Sequence, residues 1–336
     1  MGDYQDGKRL VRQFYAAMET AAPEAFAQVL REYVADDYHW RGMHPFYEQH
    51  GADAVVDTFW QPLLKSFKRL QRRQDVFMAG TNTIDGESEW VCSMGHLMGL
   101  FDEPWLDIPP TGKLAFLRYC DFHRIADGKI VETALFCDIL SVMRQAGLNP
   151  LPESTGVEIL TPGPRTHDGL LYEPQDPAES RKSLELVNAM KDDLVNAEGF
   201  QSPDEELART WHDDMLWFGP AGIGATYTIS RYQDQHQGPF RAGLANVDFQ
   251  GHVCCFAEGD YAGWFGWPNL TMQPVGSYLG MPAHGDTVEM RVVDIYRRDG
   301  DKLAENWIFI DHLYFLKQQG LDVLERNRAL QKHRRA

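Results

Sequence analysis

Basic residues are scarce in this chain. Its 336 residues hold 32 lysines and arginines against 49 aspartates and glutamates, a formal net charge of −17. Such a surface repels nucleic-acid phosphate and anionic lipid, so neither is an expected partner. The one basic run, 326–335, reads as a solvated helix end. Cysteine is also sparse. Cys92, Cys120, Cys137, Cys254 and Cys255 make an odd number with no C-x-x-C pair, which argues against zinc or redox motifs. No apolar run reaches the ~18 residues of a membrane span, and the opening MGDYQDGKRLVRQFY has no apolar signal core. A reduced, cytoplasmic, soluble protein is therefore expected. No histidine pair has H-x-H or H-x-x-x-H spacing, so no metal site is expected. G-x-S-x-G, the P-loop and H-E-x-x-H are missing as well. The glycine run at 219–224 lacks dinucleotide-fingerprint spacing and reads as a tight rim loop.

What the chain does have is a repeat. Residues 112–148, GKLAFLRYCDFHRIADGKIVETALFCDILSVMRQAGL, align without a gap to 285–321, GDTVEMRVVDIYRRDGDKLAENWIFIDHLYFLKQQGL. Twelve of 37 positions are identical, including Arg118/Arg291, Asp121/Asp294, Glu132/Glu305 and Asp138/Asp311. Polar identities at a constant offset imply two copies of one domain, with any chemistry at equivalent places.

Each copy opens with helical periodicity and continues with strand-like runs. Helices are expected through Leu10–Met18, Phe26–Tyr33, 52–67 (interrupted near Pro62) and 139–147. Strands are expected at 38–40, 75–83, 88–98, 114–125 and 130–136, with a hairpin turn at Asp127-Gly128. The second copy repeats the plan, with helices at 184–194 and 205–212 and strands at 215–218 and within 247–312. Helices followed by antiparallel strands give an α+β class. Domain 1 is expected over 1–150 and domain 2 over 179–336. Between them, 151–178 is rich in proline and reads as an extended linker.

The P-P-T-G-K turn, the F-x-R-I-x-D-G-K-I-V-E hairpin, the Asp after the last strand and the closing Q-x-G-L resemble the SnoaL-like polyketide cyclases and ester cyclases of the NTF2-like superfamily. The second copy departs from the pattern at Gly285-Asp286 and in its hairpin, YRRDGDKLAE. The resemblance implies two tandem cone-shaped α+β barrels, each with N-terminal helices, a curved and mostly antiparallel sheet, an apolar cavity and no cofactor. It implies pairing of the halves as an internal pseudo-dimer, with a homodimer as a further option. It also implies cofactor-free acid/base chemistry beside a carbonyl: aldol-type cyclisation, its reverse, dehydration or isomerisation. In those cyclases an aspartate at the end of the Glu-containing strand is the acid/base, and the matching positions are Asp138 and Asp311. Each aspartate equally reads as the N-cap of the following helix. In that case the protein would be a non-catalytic binder of small molecules.

Other candidates follow from residue type. Asp121 and His123 share a strand face, as do Asp294 and Tyr296, so His123 and Tyr296 could donate to a substrate oxygen. Arg118 and Arg291 read as partners of these aspartates. Trp40, His44 and His96 are candidate substrate contacts in the first copy. Trp217, Trp264, Trp267 and Trp307 form an aromatic cluster in the second, suited to a planar or polyketide-like substrate or to a packed core.

Overall fold

A computed structural model describes residues 4–195 and 202–334. In the first half α1 spans Gln5–Thr20 and α2 Phe26–Tyr33, followed by β1 (Val34–Gly42) and β2 (Glu48–His50). Next come α3 (Ala52–Val55) and α4 (Gln61–Ser66), then β3 (Phe67–Thr81), β4 (Glu89–Phe101), β5 (Lys113–Ala126), β6 (Lys129–Cys137) and α5 (Ile139–Gln145). The second half holds α6 (Pro177–Val195), α7 (Pro203–Ala208), β7 (Trp211–Phe218), β8 (Ala225–Tyr227), α8 (Ile229–Tyr232) and α9 (Gly238–Gly243). It continues through β9 (Leu244–Phe249), β10 (Cys254–Glu258), β11 (Tyr261–Pro274), β12 (Val288–Asp299), β13 (Lys302–Ile310), α10 (His312–Gln318) and α11 (Val323–Arg334).

Two compact units result. One takes Gly2–Thr81, Asp85–Pro150 and Asp311–Ala336, and is called the first unit. The other takes Asn82–Ile84 and Leu151–Ile310, and is called the second unit. The units do not follow the repeat boundary. The segment after Ile310 belongs to the first unit, where Asn327 Nδ2 donates to the Asp107 carbonyl at 2.9 Å and Arg328 Nε reaches the Asp107 carboxylate at 2.7 Å. The proline-rich stretch is tied into the second unit. Val157 bridges Ala225, and the Trp307 indole donates to Pro162 O at 2.9 Å.

Each unit has a curved sheet backed by helices. The first sheet runs β2-β1-β6-β5-β4-β3, and the second runs β10-β11-β12-β13-β7-β8, with β9 also pairing β11. Both paths are open, and the curved, mostly antiparallel sheets are consistent with the cone-shaped α+β fold expected from the sequence. Among the described pairs only β1–β6 and β13–β7 are parallel.

Local sequence explains several details. On α1 the buried stripe Val11, Phe14, Tyr15 and Met18 keeps helical spacing. The helix at 52–66 does not break at Pro62. It widens into a π turn at Val56–Trp60, which accommodates the missing N–H. The second unit repeats this device, with a π turn at Gln233–Gln237 ahead of Pro239. At the β5–β6 hairpin Asp127 and Gly128 both have positive φ, 50° and 70°, as a type I′ turn requires. The strand expected at 75–83 begins instead at Phe67, because Lys68–Gln74 is polar and lacks the alternation that marks a half-buried strand.

Candidate active site

Strand alternation selects the site. On β5, Tyr119, Asp121 and His123 point to one face of the sheet. In register beside them lie Gly95, Ser93 and Val91 of β4, and Cys137, Leu135 and Thr133 of β6. This is the face that α1 covers, because Tyr15 of α1 donates its hydroxyl hydrogen to Asp121 Oδ1 at 2.7 Å. The same phenol oxygen lies 2.8 Å from His123 Nε2. On the far side of that ring, Nδ1 is 2.7 Å from the Thr133 hydroxyl. Since Tyr15 gives its proton to Asp121, His123 Nε2 must carry a hydrogen to bond the phenol oxygen, which leaves Nδ1 to the Thr133 hydroxyl. From β3, Arg72 donates to Asp121 Oδ2 at 2.9 Å. Its guanidinium lies between two phenol rings, 3.8 Å from the Tyr15 centroid and 4.3 Å from that of Tyr119. The Tyr119 hydroxyl is 2.8 Å from the Ser93 hydroxyl, which accepts from Gln74 at 3.0 Å.

The chain of contacts Arg72–Asp121–Tyr15–His123–Thr133 is buried, with Asp121 and His123 each 2% exposed. Burial alone would raise the Asp121 carboxyl, yet Arg72 and then His123 hold it below the usual carboxylate range. Burial likewise opposes the Arg72 charge, but Tyr119, Asp121 and Tyr15 overcome it and the guanidinium holds its proton more tightly than usual. The Tyr15 phenol is raised by burial and by the Asp121 charge, so it stays a donor. The site is thus an ionised carboxylate–guanidinium pair that orients a phenol and an imidazole.

In the second unit the equivalent face carries Asp294 and Tyr296. Trp264 stands opposite Asp294, where Ser93 stands opposite Asp121. Asn306 donates to Asp294 Oδ1 at 2.8 Å. No arginine or lysine among the described residues is seen to offset the carboxyl, and burial pushes it up to about 8 despite the hydrogen bonds from Asn306 and Tyr296. The same alignment position therefore holds a charged acid in one unit and a neutral one in the other.

The remaining sequence candidates are dispersed. Trp40 and Trp217 lie on the site faces but are packed core, Trp40 against Phe59 and Phe46, and Trp217 stacked on His236 at 4.1 Å. Trp264 stacks on His252 at 4.3 Å. His96 pairs with Arg118, which puts it on the opposite face, 3.6 Å from Asp75. Trp307 is also on the opposite face, fully buried and stacked on Phe218. Trp267 lies under the Arg291 guanidinium at 4.2 Å. His44 sits in the β1–β2 loop, its Nδ1 2.8 Å from the Tyr47 hydroxyl. Arg118 does not pair with Asp121. Their spacing of three residues puts them on opposite faces; burial lowers Arg118 to about 10, and the Asp138 charge does most to oppose this. Glu132 pairs with Arg41 at 2.8 Å and Arg124 at 3.3 Å.

Asp138 caps α5, accepting from Ser141 N at 2.9 Å. Asp311 caps α10, accepting from Tyr314 N at 3.1 Å, and its other oxygen accepts from His44 N at 2.9 Å. Both aspartates lie in the first unit, where burial, then the Asp311 charge and then that of Asp138 raise the Cys137 thiol. Replacing Asp138 with Ala should cost about 1 kcal/mol of stability, whereas Asn should preserve the cap. Chemical denaturation checks the first expectation. If Asp138→Asn also keeps full turnover, the residue has no proton-transfer role.

The sequence reading reached Asp121 and His123 but missed Tyr15, Arg72 and Thr133. Tyr15 looks like any member of the α1 apolar stripe. Arg72 falls in the polar start of β3 and meets its partner 49 residues later. Thr133 is recognisable only once the β5–β6 register is known. Among the described residues no group of three His, Cys, Asp or Glu side chains could hold a metal ion, and no helix is long and apolar enough to cross a membrane.

Comparisons with known proteins follow the duplication. No curated protein matches the chain. A candidate SnoaL-like polyketide cyclase from Jannaschia sp. CCS1 is similar at 23% identity, over 44% of this chain and 94% of its own, with a TM-score of 0.33. IdmH, a candidate polyketide cyclase from Streptomyces antibioticus, is similar at 18% identity, over 42% of this chain and 97% of its own, with a TM-score of 0.34. AclR, a candidate hydroxylase from Streptomyces galilaeus, is similar at 20% identity, over 44% of this chain and 82% of its own, with a TM-score of 0.35. Residues 11–133 match the SnoaL-like domain model and residues 229–319 match the SnoaL-like polyketide cyclase model. With one such model on each half, the chain belongs to the SnoaL-like family, as a tandem of two domains.

Proposed function

We propose that the first unit is the catalytic one and that it moves a proton beside the carbonyl of a planar, polyketide-like substrate. Aldol-type ring closure, its reverse, dehydration and isomerisation all contain this step. The observation that supports the reading is the buried chain Arg72–Asp121–Tyr15–His123–Thr133. A buried ion pair is often less stable than apolar groups of similar volume, so stability alone does not account for it. His123 takes and returns the proton at Nδ1, which gives up the Thr133 hydroxyl when substrate enters. On substrate entry Tyr15 turns its single hydroxyl hydrogen from Asp121 to the carbonyl oxygen as negative charge develops there, while Arg72 keeps Asp121 ionised. Because Asp121 and His123 are each only 2% exposed, admitting a substrate requires α1, which carries Tyr15, to shift. Asp138 and Asp311 remain helix caps in this reading.

The test is ring closure of an aryl poly-β-ketone by the full chain. His123→Asn is expected to lower kcat by about 10²–10⁴-fold, and Tyr15→Phe to lower it while leaving KM nearly unchanged. Wild-type turnover in the His123 variant overturns the proposal.

A further inference from the structure

We propose that Tyr47, His44, Asp322 and Lys317 form a second reactive centre in the first unit, in which the Tyr47 hydroxyl is a nucleophile toward aryl esters. The centre shares no residue with the chain Arg72–Asp121–Tyr15–His123–Thr133, and the inference does not rest on the reading of that chain.

Two of the four residues come from the β1–β2 loop and two from the segment after Ile310, and all lie in the first unit. The Tyr47 oxygen is 2.8 Å from His44 Nδ1. The other ring nitrogen, Nε2, is 3.9 Å from Asp322 Oδ1, close enough to pair once the imidazole is charged. The His44 main-chain N–H donates to Asp311 Oδ2 at 2.9 Å, which anchors the loop. Lys317 Nζ is 3.0 Å from Asp322 Oδ2 and 6.0 Å from the Tyr47 ring centroid. Its hydrogen bond to Asp322 holds the ammonium above the usual lysine range against burial, and Tyr47 adds to this. His44 is 3% exposed and Tyr47 39%, so the phenol is the member of the pair that meets solvent. A hydroxyl within hydrogen-bond reach of a base, with a third group orienting that base, is the arrangement that activates a nucleophile.

The backbone gives an independent sign. Tyr47 has φ 54°, in the left-handed region that a bulky side chain rarely adopts. The corresponding loop of the second copy meets the same need with Gly224, φ 84°, and has Ala221 where the first has His44. Arg144 and Asn149 of the first copy align with Lys317 and Asp322. None of the four groups is therefore a product of the duplication, and the turn itself does not call for a ring at Tyr47. Strained positions of this kind cluster at reactive sites.

The reaction balances with water as the co-reactant. His44 Nδ1 takes the phenol proton as the Tyr47 oxygen attacks the acyl carbon. The Lys317 ammonium offsets the charge of the tetrahedral oxyanion, and the imidazolium pairs with Asp322. The bond to the leaving group then breaks, and the departing aryl oxide takes the proton from His44. Water, giving a proton to the same nitrogen, cleaves the acyl-tyrosine, and that proton returns to the phenol oxygen. One ester and one water become one acid and one phenol. The ester must be an aryl or comparably activated one, since a phenol oxygen displaces only a group that leaves as readily as itself.

The test uses the full chain with two probes. Benzenesulfonyl fluoride traps a reactive phenol as a stable sulfonate, which peptide mapping locates, and 4-nitrophenyl acetate reports turnover. Tyr47 is expected to be sulfonylated before any other tyrosine. Tyr47→Phe should abolish that label and lower ester turnover at least about tenfold. His44→Gln should slow both reactions by about 10²-fold, the lower end for loss of a general base. Asp322→Asn keeps the α11 cap but loses the charge, and should slow turnover several-fold. If His44→Gln does not fold, Tyr47→Phe decides, because it keeps the ring and removes only the oxygen. Sulfonate found only on other residues, or wild-type ester turnover in Tyr47→Phe, overturns the proposal. This readout is ester cleavage, whereas the β5 site is judged by ring closure, so either can fail alone.

Discussion

Arg72→Met is expected to lower the unfolding free energy by about 3–5 kcal/mol, the range for removing one partner of a buried ion pair. Asp121 is 2% exposed and receives its only arginine hydrogen bond among the described residues from Arg72, at 2.9 Å. Without it the carboxylate is left in a dry face with Tyr15 and His123. The guanidinium also fills the space between the rings of Tyr15 and Tyr119, so packing is lost with the charge. The double variant Arg72→Met/Asp121→Leu should recover most of the stability, since it removes the uncompensated charge, but none of the activity. Asp121 is held low in the folded state, so its contribution is present above the unfolded carboxylate pKa and is lost as pH falls through the folded one. The gap between wild type and Arg72→Met should therefore narrow in acid. Urea titrations at pH 7 and pH 3 measure this. A single-variant cost under about 1 kcal/mol would show that the pair is not coupled to folding.

Asp294 should act in the opposite direction. Its folded pKa is raised to about 8 by burial, against an ordinary carboxylate value when unfolded. Its contribution is fully present below the unfolded pKa. It is lost as pH rises toward 8, because the unfolded state releases the proton first, and it is flat beyond. At 1.36 kcal/mol per pKa unit the loss between pH 4 and pH 8 is on the order of 5 kcal/mol. Asp294→Asn removes the titration while keeping a polar group of the same shape. The variant should thus gain stability over wild type as pH rises, and the two curves should converge near pH 4. Thermal melts across this range give the slope. Parallel curves would mean that Asp294 is not a neutral buried acid.

The fold was largely legible because it is written twice. The Asp127-Gly128 hairpin, the glycine stop at Gly147 and the α1 stripe are local signals, and each appears where spacing put it. The active face was legible only in part. Asp121 and His123 share a face by alternation, which a sequence can show. Which helix covers that face, and which strand lends the cation, depends on pairing between distant segments. Arg118 looked like the partner because it is near in sequence, yet a three-residue spacing in a strand separates two groups as surely as a wall.

The segment that begins at Asp311 completes the first unit although it follows all of the second. During synthesis the His44 amide and the Asp107 carbonyl must wait for Asp311 and Asn327 before their hydrogen bonds can form. At 5–20 residues per second, the stretch from Pro150 to Asp311 takes roughly 10–30 s to make. Over that interval the earlier-made unit lacks these bonds, and α10 and α11 supply them to the half that was begun first.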